Sequence, residues 1–512
     1  MNKLSVNNGW PLVRFIVPAF PEVNIFTRAA RKMTQLGLVM VATAANKLWG
    51  WRVEIIDENN YIGPRDLNGL PDHKKLQQDN PATVVGFYCG LTSTMDRVYE
   101  LISFYKNAGT LILAGGWHAH YCPEEVIEMG ANVVVHGDGE IAIKQILTQL
   151  VERENINSVP GTSFKENGKI VKTPPLMLEI ADLSDLPYPD FGLLKFARKI
   201  KTYPIGHVRG CGMNCEFCSV KGEPRYSSPE YVFGVINWLV ETRNAEQFFF
   251  VDDRLEEDKK GLIHLLELIR DKHGNRLYFT VQVRLEVARD IKLLELMKSA
   301  GVGSVCVGYE SPIDEDLRAM HKGILARNMV EWTKVLRRYF WVHGMFIFGY
   351  PTGLKNTLGV KEMIGRYKSF IKEAEISTIQ VMHPLPLMGT ELRARLVREN
   401  RVFPWEVAPR KKYDGNSACF MPDNMTLKEF QEAPLQIMKW FYSSWSFWGI
   451  PFRTISFPIH FLVKGWHHWH HGWLTEIVKY GGHRLIKQWQ KRHGNRTYLS
   501  SLESYRKKIA HM

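Results

Sequence analysis

The stretch RGCGMNCEFCSV, residues 209–220, decides how the rest of the chain is interpreted. It places three thiols, those of Cys211, Cys215 and Cys218, within eight residues in the spacing C-x3-C-x2-C. Three thiolates on one short loop can ligate three irons of a [4Fe–4S] cluster and leave the fourth iron open. An open metal position is typical of catalytic sites, whereas structural sites are usually closed by four ligands. The motif therefore predicts a metal centre with one free coordination position.

The main alternative for these thiols is a closed zinc site in which His207 or Cys306 supplies the fourth ligand. Zinc sites more often show two paired C-x2-C arms, so the spacing favours the iron–sulfur cluster. A disulfide scaffold is excluded by composition, because 7 cysteines in 512 residues are too few and the number is odd. Together with the lack of a signal-peptide pattern in Met1–Phe20, this usage of cysteine indicates a reducing, cytoplasmic compartment.

The segment around the motif, residues 201–400, alternates between predicted strands and helices. A first strand near His207–Val208 is followed by strands predicted at 247–251, 278–283, 304–308, 345–349 and 378–382, with helical periodicity between them. This pattern amounts to about six β/α units and predicts a full or partial parallel barrel, a (β/α)6 fold. Chemistry in such barrels lies at the carboxyl ends of the strands, and the cysteine motif follows the first of them.

Residues 1–150 show a second alternation, with strands predicted at 53–57, 83–88, 111–114 and 132–135. Short β-branched runs separated by helices predict a doubly wound, Rossmann-like parallel sheet, so the fold class is α/β throughout. Two of these strands end in glycines, first Gly115-Gly116 and then Gly137 and Gly139 within HGDGE. Ligands of such sheets lie beyond the strand carboxyl ends, where glycine allows close approach to the backbone.

Two further regions lack this alternation. Residues 151–200 are rich in Pro and turn residues, which predicts a linker with a small hairpin. Residues 401–512 predict a mainly helical region rich in Trp and His, including the run WHHWHH at 466–471. Between Trp440 and Val463 only Arg453 is charged, but two prolines interrupt this stretch, so we expect an interfacial or buried segment rather than a transmembrane helix.

Basic charge is concentrated in the same C-terminal region. From Pro451 to Met512, 11 Lys and Arg stand against two Asp and Glu, a net charge of +9 out of +13 for the chain. Trp beside cationic groups suits the headgroup boundary of a membrane, so one interpretation is peripheral membrane contact. The alternative is a terminal helical subdomain with a solvated basic face. A metal site formed by the histidine run lacks Cys or carboxylate partners, which favours a solvated run instead.

The cysteine loop, its place at the first strand of a six-unit barrel and the aromatic residue before the last cysteine resemble the radical S-adenosylmethionine superfamily. The resemblance implies that Cys211, Cys215 and Cys218 ligate the cluster, that S-adenosylmethionine chelates the open iron, and that a low-potential donor supplies the electron. It places Phe217 against the adenine, Asp252 and Asp253 near the amino group, and Arg284 and Glu310 toward the nucleoside or carboxylate. The alternative for Phe217 is an ordinary core position, and for Asp252 and Asp253 it is a strand-end cap or a solvated loop. For Arg284 and Glu310 the alternative is an ion pair.

Residues 1–150 resemble the cobalamin-binding domain that many of these enzymes carry. The similar stretches contain Thr92, Ser93, Gly115, Gly116, Gly137 and Gly139, which the resemblance places at the cobalamin site. No D-x-H-x-x-G sequence is present there, so the lower-axial histidine of one corrinoid group is absent. His118 is either near the corrin or engaged in ordinary hydrogen bonds. The family motif P-x-P-G-T is altered here at Pro384–Thr390, and Tyr413–Asn416 matches only in part.

The function implied by this resemblance is methylation, or oxidative cyclisation as in the anaerobic cyclase of chlorophyll synthesis, of an unactivated carbon. The aromatic tail suggests a hydrophobic or lipid-like small molecule as substrate. One alternative is a nucleic-acid-modifying enzyme that uses the basic tail on phosphates. Relatives of that type carry another three-cysteine cluster in the N-terminal domain, where this chain has only Cys89 and Cys122. The other alternative is a non-catalytic sensor with a structural cluster.

Overall fold

The computed structural model describes residues 9–21, 32–174, 180, 182–353, 358–443, 446–492 and 496–510. The chain divides into two compact units. The first contains Met1–Cys211, Gly222–Asp253 and Glu257–Ile269, and the second contains Gly212–Lys221, Arg254–Glu256 and Arg270–Met512. The division falls inside the cysteine motif, so Cys211 belongs to the first unit and the other two cysteines belong to the second.

The first unit is built on a seven-stranded sheet. Its strands are β1 (Leu12–Val17), β2 (Arg52–Asp57), β3 (Val84–Tyr88), β4 (Leu111–Gly115), β5 (Val133–Val135), β6 (Thr162–Glu166) and β7 (Lys169–Lys172). They lie in the order β2-β1-β3-β4-β5-β6-β7, with β1 to β5 parallel and the last two antiparallel. The four strands predicted in residues 1–150 are confirmed as β2 to β5. The predicted hairpin is also present, and it extends this sheet.

Helices connect the parallel strands and cover the sheet. They are α1 (Leu36–Asn46), α2 (His73–Asp79), α3 (Met95–Asn107), α4 (Trp117–Tyr121), α5 (Pro123–Glu128) and α6 (Gly139–Glu152). The inner strands are almost continuously apolar and buried, as expected for a parallel sheet covered on its faces. The core between sheet and helices includes Ile16, Val85, Ile102 and Ile112. This arrangement brings the carboxyl ends of β1, β3, β4 and β5 to one edge.

The sequence analysis did not predict β1, because a charged residue stands in the middle of its apolar run. Arg14 is fully buried in the structure. Its guanidinium donates to Glu54 at 2.6 Å, to the Tyr105 hydroxyl at 3.2 Å, and to the carbonyls of Leu76 at 3.2 Å and Asn80 at 2.6 Å. A buried charge is tolerated when it is paired and fully hydrogen-bonded, and this network meets both conditions.

The remaining strands of the first unit lead into the cysteine motif. They are β8 (Thr202–Ile205), β9 (Val208–Arg209), β10 (Arg225–Tyr226) and β11 (Gln247–Phe250), with helices α7 (Pro229–Arg243) and α8 (Lys259–His273). The prediction of a first barrel strand near His207–Val208 is wrong by a few residues, since β8 is the strand that pairs in parallel with β11. β9 instead forms a short antiparallel pair with β10, which flanks the motif.

The second unit contains four parallel strands, β12 (Tyr278–Val283), β13 (Val302–Glu310), β14 (Trp341–Ile347) and β15 (Thr378–Met382), which pair in this order. The helices among them are α9 (Ile291–Ser299), α10 (Asp314–Ala319), α11 (Met329–Tyr339) and α12 (Val360–Glu373). The predicted strands at 278–283, 304–308, 345–349 and 378–382 are confirmed, with shifted ends for the middle two. Burial alternates along these strands, so one face of each packs against helices.

The C-terminal region is helical, as predicted. It contains α13 (Glu391–Arg398), α14 (Leu427–Phe441), α15 (Ser446–Ile455), α16 (Phe457–Arg492) and α17 (Arg496–Ala510). α14 begins at a capping box, in which the Thr426 side chain and the Glu429 side chain each accept from the other's backbone N–H. Phe403, Phe420 and Leu502 share one buried core here. Among the described helices, none carries an apolar stretch long enough to cross a membrane.

Candidate functional site

The cysteine motif is a loop without regular secondary structure that follows β9. Gly210 and Gly212 have φ angles of 97° and 66°, which only glycine adopts without strain. Cys215 is buried, while Cys211 and Cys218 are half-buried, and none of the three forms a disulfide. The loop therefore carries three free thiols on a backbone bent sharply at its start, which suits a donor set for an iron–sulfur cluster.

Within the second unit, hydrogen bonds fold the loop around its last two cysteines. The Cys218 N–H donates to the Cys215 carbonyl at 3.1 Å, and the Val220 N–H donates to the Cys218 sulfur at 3.4 Å. Lys221 Nζ donates to the Cys215 carbonyl at 3.0 Å. Hydrogen bonds from backbone N–H groups to a sulfur orient it as a metal ligand.

The two residues considered as fourth zinc ligands are placed differently. Cys306 lies on β13, where burial raises the pKa of its thiol to about 11. A thiol with a raised pKa is a poor metal ligand in its resting state, because ligation requires the thiolate. His207 is fully buried in the first unit, with Nε2 3.4 Å from Asp258, and burial lowers its pKa. The surroundings of Cys306 thus do not favour a fourth sulfur ligand.

Asp252 and Asp253 follow β11, as predicted, but their surroundings differ. Asp252 is buried, and its Oδ1 accepts from the backbone N–H groups of His207, at 2.8 Å, and Val208. It thereby ties the end of β11 to the segment that begins the motif. Asp253 is exposed. The alternative of a strand-end cap describes the contacts of Asp252, and the predicted role of both residues toward S-adenosylmethionine stays a prediction.

Arg284 stands at the carboxyl end of β12. Its backbone N–H donates to Glu256 at 3.0 Å, and its guanidinium bonds Glu286 and the Lys322 carbonyl. Burial alone would lower the pKa of Arg284, but Glu286 outweighs this effect and the pKa is raised. The guanidinium is thus a fixed cation at the strand end. Its contact with Glu286 matches the alternative of an ion pair, and its role toward S-adenosylmethionine stays a prediction.

Glu310 ends β13 in a left-handed backbone conformation, with φ of 60°. Its buried carboxylate lies 2.8 Å from Lys322 Nζ. Burial would lower the pKa of Lys322, but Glu310 reverses the direction and raises it. Arg284 and Glu310 do not pair with each other, so each has its own counter-ion. Backbone strain of this kind persists at sites that the surrounding structure over-determines.

Phe217 is half-buried and meets the ring of Tyr350 edge-on at 6.3 Å between ring centroids. It packs at the border of the core of the second unit. This environment matches the alternative of an ordinary core Phe in part, since the ring is only half covered. Its contact with adenine stays a prediction.

In the first unit, the carboxyl edge of the sheet encloses a cavity of about 330 Å³. Apolar side chains and glycines line it, among them Phe15, Val41, Tyr88, Gly86, Gly115, Gly116, Gly137, Gly139 and Ile143. Gly116 has a φ of 119°, and a Cβ there would lie 2.8 Å from backbone atoms of Cys89 and Gly90. The site therefore needs glycine at position 116 and offers a largely apolar cavity, and the role of these glycines at cobalamin stays a prediction.

Thr92 and Ser93 begin the short 3₁₀ turn after β3 and are buried. The Thr92 hydroxyl bonds His118 Nδ1 at 3.0 Å, and His118 Nε2 lies 3.4 Å from Glu125. The His118 side chain is fully buried, so it makes ordinary hydrogen bonds, the second of the two options for this residue. The roles of Thr92 and Ser93 at a cofactor stay predictions.

Several charged residues around these sites were not predicted from the sequence. Arg209, directly before the motif, pairs with Asp138 at 3.0 Å and with Glu140 at 2.6 Å, and all three line the cavity of the first unit. Glu216, Arg395 and Lys322 were also missed. The sequence does show that Glu216 is a charged residue inside the C-x-x-C half of the motif. It does not show the partner, because Arg395 lies 179 residues away.

Comparison with protein families finds matches for two segments of the chain. Residues 24–147 match the B12 binding domain, and residues 205–357 match the radical SAM superfamily. The first match contains β3 to β5, whose ends border the glycine-lined cavity, but not β1, and the second contains the cysteine motif and β12 to β14. The predicted assignment to radical S-adenosylmethionine enzymes with a cobalamin-binding domain is confirmed.

Three relatives illustrate the range of similarity. The uncharacterized methyltransferase PH0819 of Pyrococcus horikoshii is 28% identical over 328 residues, 61% of this chain and 69% of that protein. The hopanoid C-2 methylase of Rhodopseudomonas palustris is 28% identical over 239 residues, 43% of this chain and 42% of that protein. The anaerobic magnesium-protoporphyrin IX monomethyl ester cyclase of Synechocystis is 23% identical over 262 residues, which are 49% of this chain and 52% of that protein.

Two solved structures share the fold. The radical S-adenosylmethionine methyltransferase TsrM of Kitasatospora setae aligns with a TM-score of 0.64 at 16% identity, covering 77% of this chain and 76% of that one. The cobalamin-dependent enzyme OxsB aligns with a TM-score of 0.66 at 14% identity, covering 93% and 72%. The predicted α/β class, with a parallel-sheet domain, a partial barrel and a helical C-terminal region, is thereby confirmed.

Asp252→Asn should change the pH dependence of stability. Burial raises the pKa of Asp252 to about 7. The folded state therefore holds this proton more tightly than the unfolded chain, and the wild type should lose stability as pH rises from about 4 to about 7, by at most about 1.4 kcal/mol per pH unit. Asparagine keeps the acceptor for the two N–H groups and removes the titration. The melting temperature of cluster-free protein between pH 4.5 and 8.5 measures the effect.

The matched control is Asp185→Asn, an exposed position. Its pH profile should follow the wild type, while Asp252→Asn should flatten the profile and be the more stable protein above pH 7. Parallel profiles for all three proteins would contradict the assignment of Asp252 as a buried carboxyl group with a raised pKa.

Proposed function

We propose that this chain, which belongs to the radical S-adenosylmethionine enzymes that carry a cobalamin-binding domain, methylates an unactivated carbon of a hydrophobic small molecule. The observation that carries the proposal is the combination of two sites in one chain. A loop offers three free thiols, and a separate glycine-lined cavity lies at the carboxyl edge of a parallel sheet. A non-catalytic sensor would use the first site alone, and nothing in that role needs the second.

The donor chemistry fits both cofactors. Cys211, Cys215 and Cys218 would hold three irons, and the cavity bordered by Gly116 and Val41 would hold the cobalamin tail. When bound, the [4Fe–4S] cluster supplies one electron for reductive cleavage of S-adenosylmethionine, and cobalamin carries the methyl group. The protein's own part is to position these groups and to exclude water. The Arg284 cation and the Glu310–Lys322 pair, at the ends of β12 and β13, offer fixed charges for the polar end of S-adenosylmethionine.

Methylation is the main proposal because relatives named as methyltransferases include PH0819 and the hopanoid C-2 methylase. Oxidative cyclisation is the second candidate, supported by the 23% identity to the cyclase. A hydrophobic substrate is supported by the hopanoid and porphyrin named for those relatives. A transfer RNA substrate is disfavoured, since the first unit offers only Cys89 and Cys122 outside the motif and Cys89 is buried.

We further propose that the C-terminal helices contact an anionic membrane surface, from which such a substrate is taken. α15 exposes large apolar side chains, with Trp448 at 65%, Phe452 at 69% and Ile455 at 80% exposure. Beside them Phe447, Trp448 and Tyr480 line an open groove of about 670 Å³ together with His483, Arg484, Lys487, Gln488 and Lys491 of α16. Aromatic rings bordered by a row of cations match the interface of a bilayer with anionic lipids.

The side chains of the histidine run 466–471 lie outside the described residues, although helix α16 spans them. The support for membrane contact therefore comes from α15 and from the basic row at 484–491.

Activity is tested on anaerobically reconstituted protein with S-adenosylmethionine, cobalamin, a low-potential reductant and a bacterial lipid extract. We expect 5′-deoxyadenosine and S-adenosylhomocysteine, and a lipid fraction that gains the label from methyl-labelled S-adenosylmethionine. A variant with Ala at Cys211, Cys215 and Cys218 should lose iron and 5′-deoxyadenosine together. Iron-loaded wild type that forms no 5′-deoxyadenosine would contradict the enzyme and favour the sensor. A product that is two hydrogens lighter than its substrate and carries no methyl label would favour cyclisation.

Val41→Trp should block the cavity of the first unit. The residue lines the cavity on α1 and is half-buried, so an indole ring would occupy the space meant for the ligand. We expect cobalamin to bind roughly tenfold more weakly or worse, which corresponds to about 1.4 kcal/mol, with unchanged iron content. Val151→Trp, at an exposed position of α6, is the control. Equal cobalamin affinity in both variants would contradict the assignment of the cavity.

Membrane contact is tested by co-sedimentation with vesicles of phosphatidylcholine and phosphatidylglycerol. Trp448→Ser should reduce the bound fraction about fivefold or more, because burying one large aromatic ring is worth at least about 1 kcal/mol. Lys487→Gln together with Lys491→Gln should remove most of the salt dependence. Trp49→Ser, at a tryptophan of the first unit that is 84% exposed, is the control. Wild type that stays in the supernatant, or equal binding of the two Trp variants, would refute membrane contact.

A further inference from the structure

The part of the cysteine loop that belongs to the second unit, Gly212–Lys221, has no helix or strand to hold it. Its two cysteines must keep fixed positions if they ligate one cluster, because misplacement of a site by about 1 Å is costly. Loops of this kind depend on bonds to neighbouring elements for their rigidity. Most of the bonds that the structure shows from this segment to the rest of the second unit pass through one residue, Glu216.

Glu216 stands between Cys215 and Phe217, inside the C-x-x-C half of the motif. Its carboxylate is buried and accepts three charge-assisted or hydroxyl bonds. Arg395 donates from Nε at 2.6 Å and from Nη2 at 2.9 Å, one to each carboxylate oxygen, and the Tyr350 hydroxyl donates at 2.5 Å. A two-pronged arginine–carboxylate pair fixes both distance and orientation, which a lysine cannot do.

The backbone of Glu216 is held as well. Its N–H donates to the Met320 carbonyl at 3.1 Å, and its carbonyl accepts from the Leu392 N–H at 3.1 Å. Lys221, at the end of the loop, bridges the Cys215 carbonyl and Glu391 at 3.0 and 3.3 Å. Residues 391, 392 and 395 occupy the first turns of α13, so this one helix end contacts the loop at three points.

Arg395 also donates to the Pro351 carbonyl at 2.9 Å, and Tyr350 packs edge-on against Phe217. The pKa of Arg395 is raised, mainly by its bond with Glu216, and the pKa of Tyr350 is raised by burial and by the same carboxylate. Both partners therefore keep their protons as donors to the Glu216 carboxylate.

We propose that Glu216, Arg395 and Tyr350 are positioning residues that hold Cys215 and Cys218 for the cluster and balance the charge beside it. The inference rests on the proposed cluster at the three cysteines. A buried ion pair that loses one partner leaves an uncompensated charge, so the two single variants should disturb the site in different ways. Removal of the arginine leaves a negative charge beside Cys215, and removal of the carboxylate charge leaves a positive one.

The test uses the full chain, reconstituted anaerobically, with the variants Arg395→Gln, Glu216→Gln, the double variant and Tyr350→Phe. Arg398→Gln, on an exposed position of the same helix, is the matched control. The readouts are iron and sulfide per chain, the rate at which an iron chelator bleaches the cluster, and the midpoint potential from a redox titration followed by electron paramagnetic resonance. Melting temperatures of the cluster-free proteins report any general loss of stability.

We expect Arg395→Gln to lose its cluster to the chelator roughly tenfold faster than Arg398→Gln, which corresponds to about 1.4 kcal/mol. Its midpoint potential should fall, because a negative charge disfavours reduction, whereas the potential of Glu216→Gln should rise. The double variant should return toward the wild type in potential, and Tyr350→Phe should show a smaller increase in bleaching. Where Arg395→Gln does not fold, the test is whether the potential rises in Glu216→Gln and returns toward the wild-type value in the double variant.

Potentials that move in the same direction, or bleaching rates equal to that of Arg398→Gln, would overturn the positioning role even if melting temperatures fall. Iron-free wild type would instead count against the proposed function, so the two failures are distinguishable.

Discussion

The proposed metal centre requires that a glycine-containing loop be rigid enough to present three thiols to it. The loop cannot do this through a strand or helix of its own. In the chain, the antiparallel strands β9 and β10 flank it, and within the second unit the buried Glu216–Arg395 pair holds it. The geometry of the site is thus set by elements that lie far apart in sequence, which is typical of sites whose supporting contacts carry the precision.

The first unit forms its cavity from strand ends and glycines rather than from a loop. A parallel sheet gathers the ends of four strands at one edge, and glycines keep that edge free of side chains. Charged residues stand at its border, where Arg209 joins Asp138 and Glu140. Arg209 directly precedes the cysteine loop, so the residues that shape the border of the cavity also fix the start of the motif.

The sequence predicted the parts that depend on local pattern. Period-two and β-branched runs located most of the strands, and the thiol spacing predicted a cluster loop. β1 was missed because Arg14 interrupts its apolar run, and its partners Glu54 and Tyr105 are 40 and 91 residues away. The first barrel strand was misplaced because the run at 202–205 contains Pro204, which weakens a strand signal. Glu216 and Arg395, separated by 179 residues, could not be paired without the fold.

The proposed cluster has an open iron at which S-adenosylmethionine binds. The most direct measurement is the electron paramagnetic resonance spectrum of the reduced, reconstituted protein, recorded before and after adding S-adenosylmethionine labelled at its amino nitrogen and carboxylate. We predict about four irons per chain, a changed spectrum when S-adenosylmethionine is added, and hyperfine coupling from the labelled atoms to the cluster. An unchanged spectrum without such coupling, in protein that holds its full iron, would contradict it.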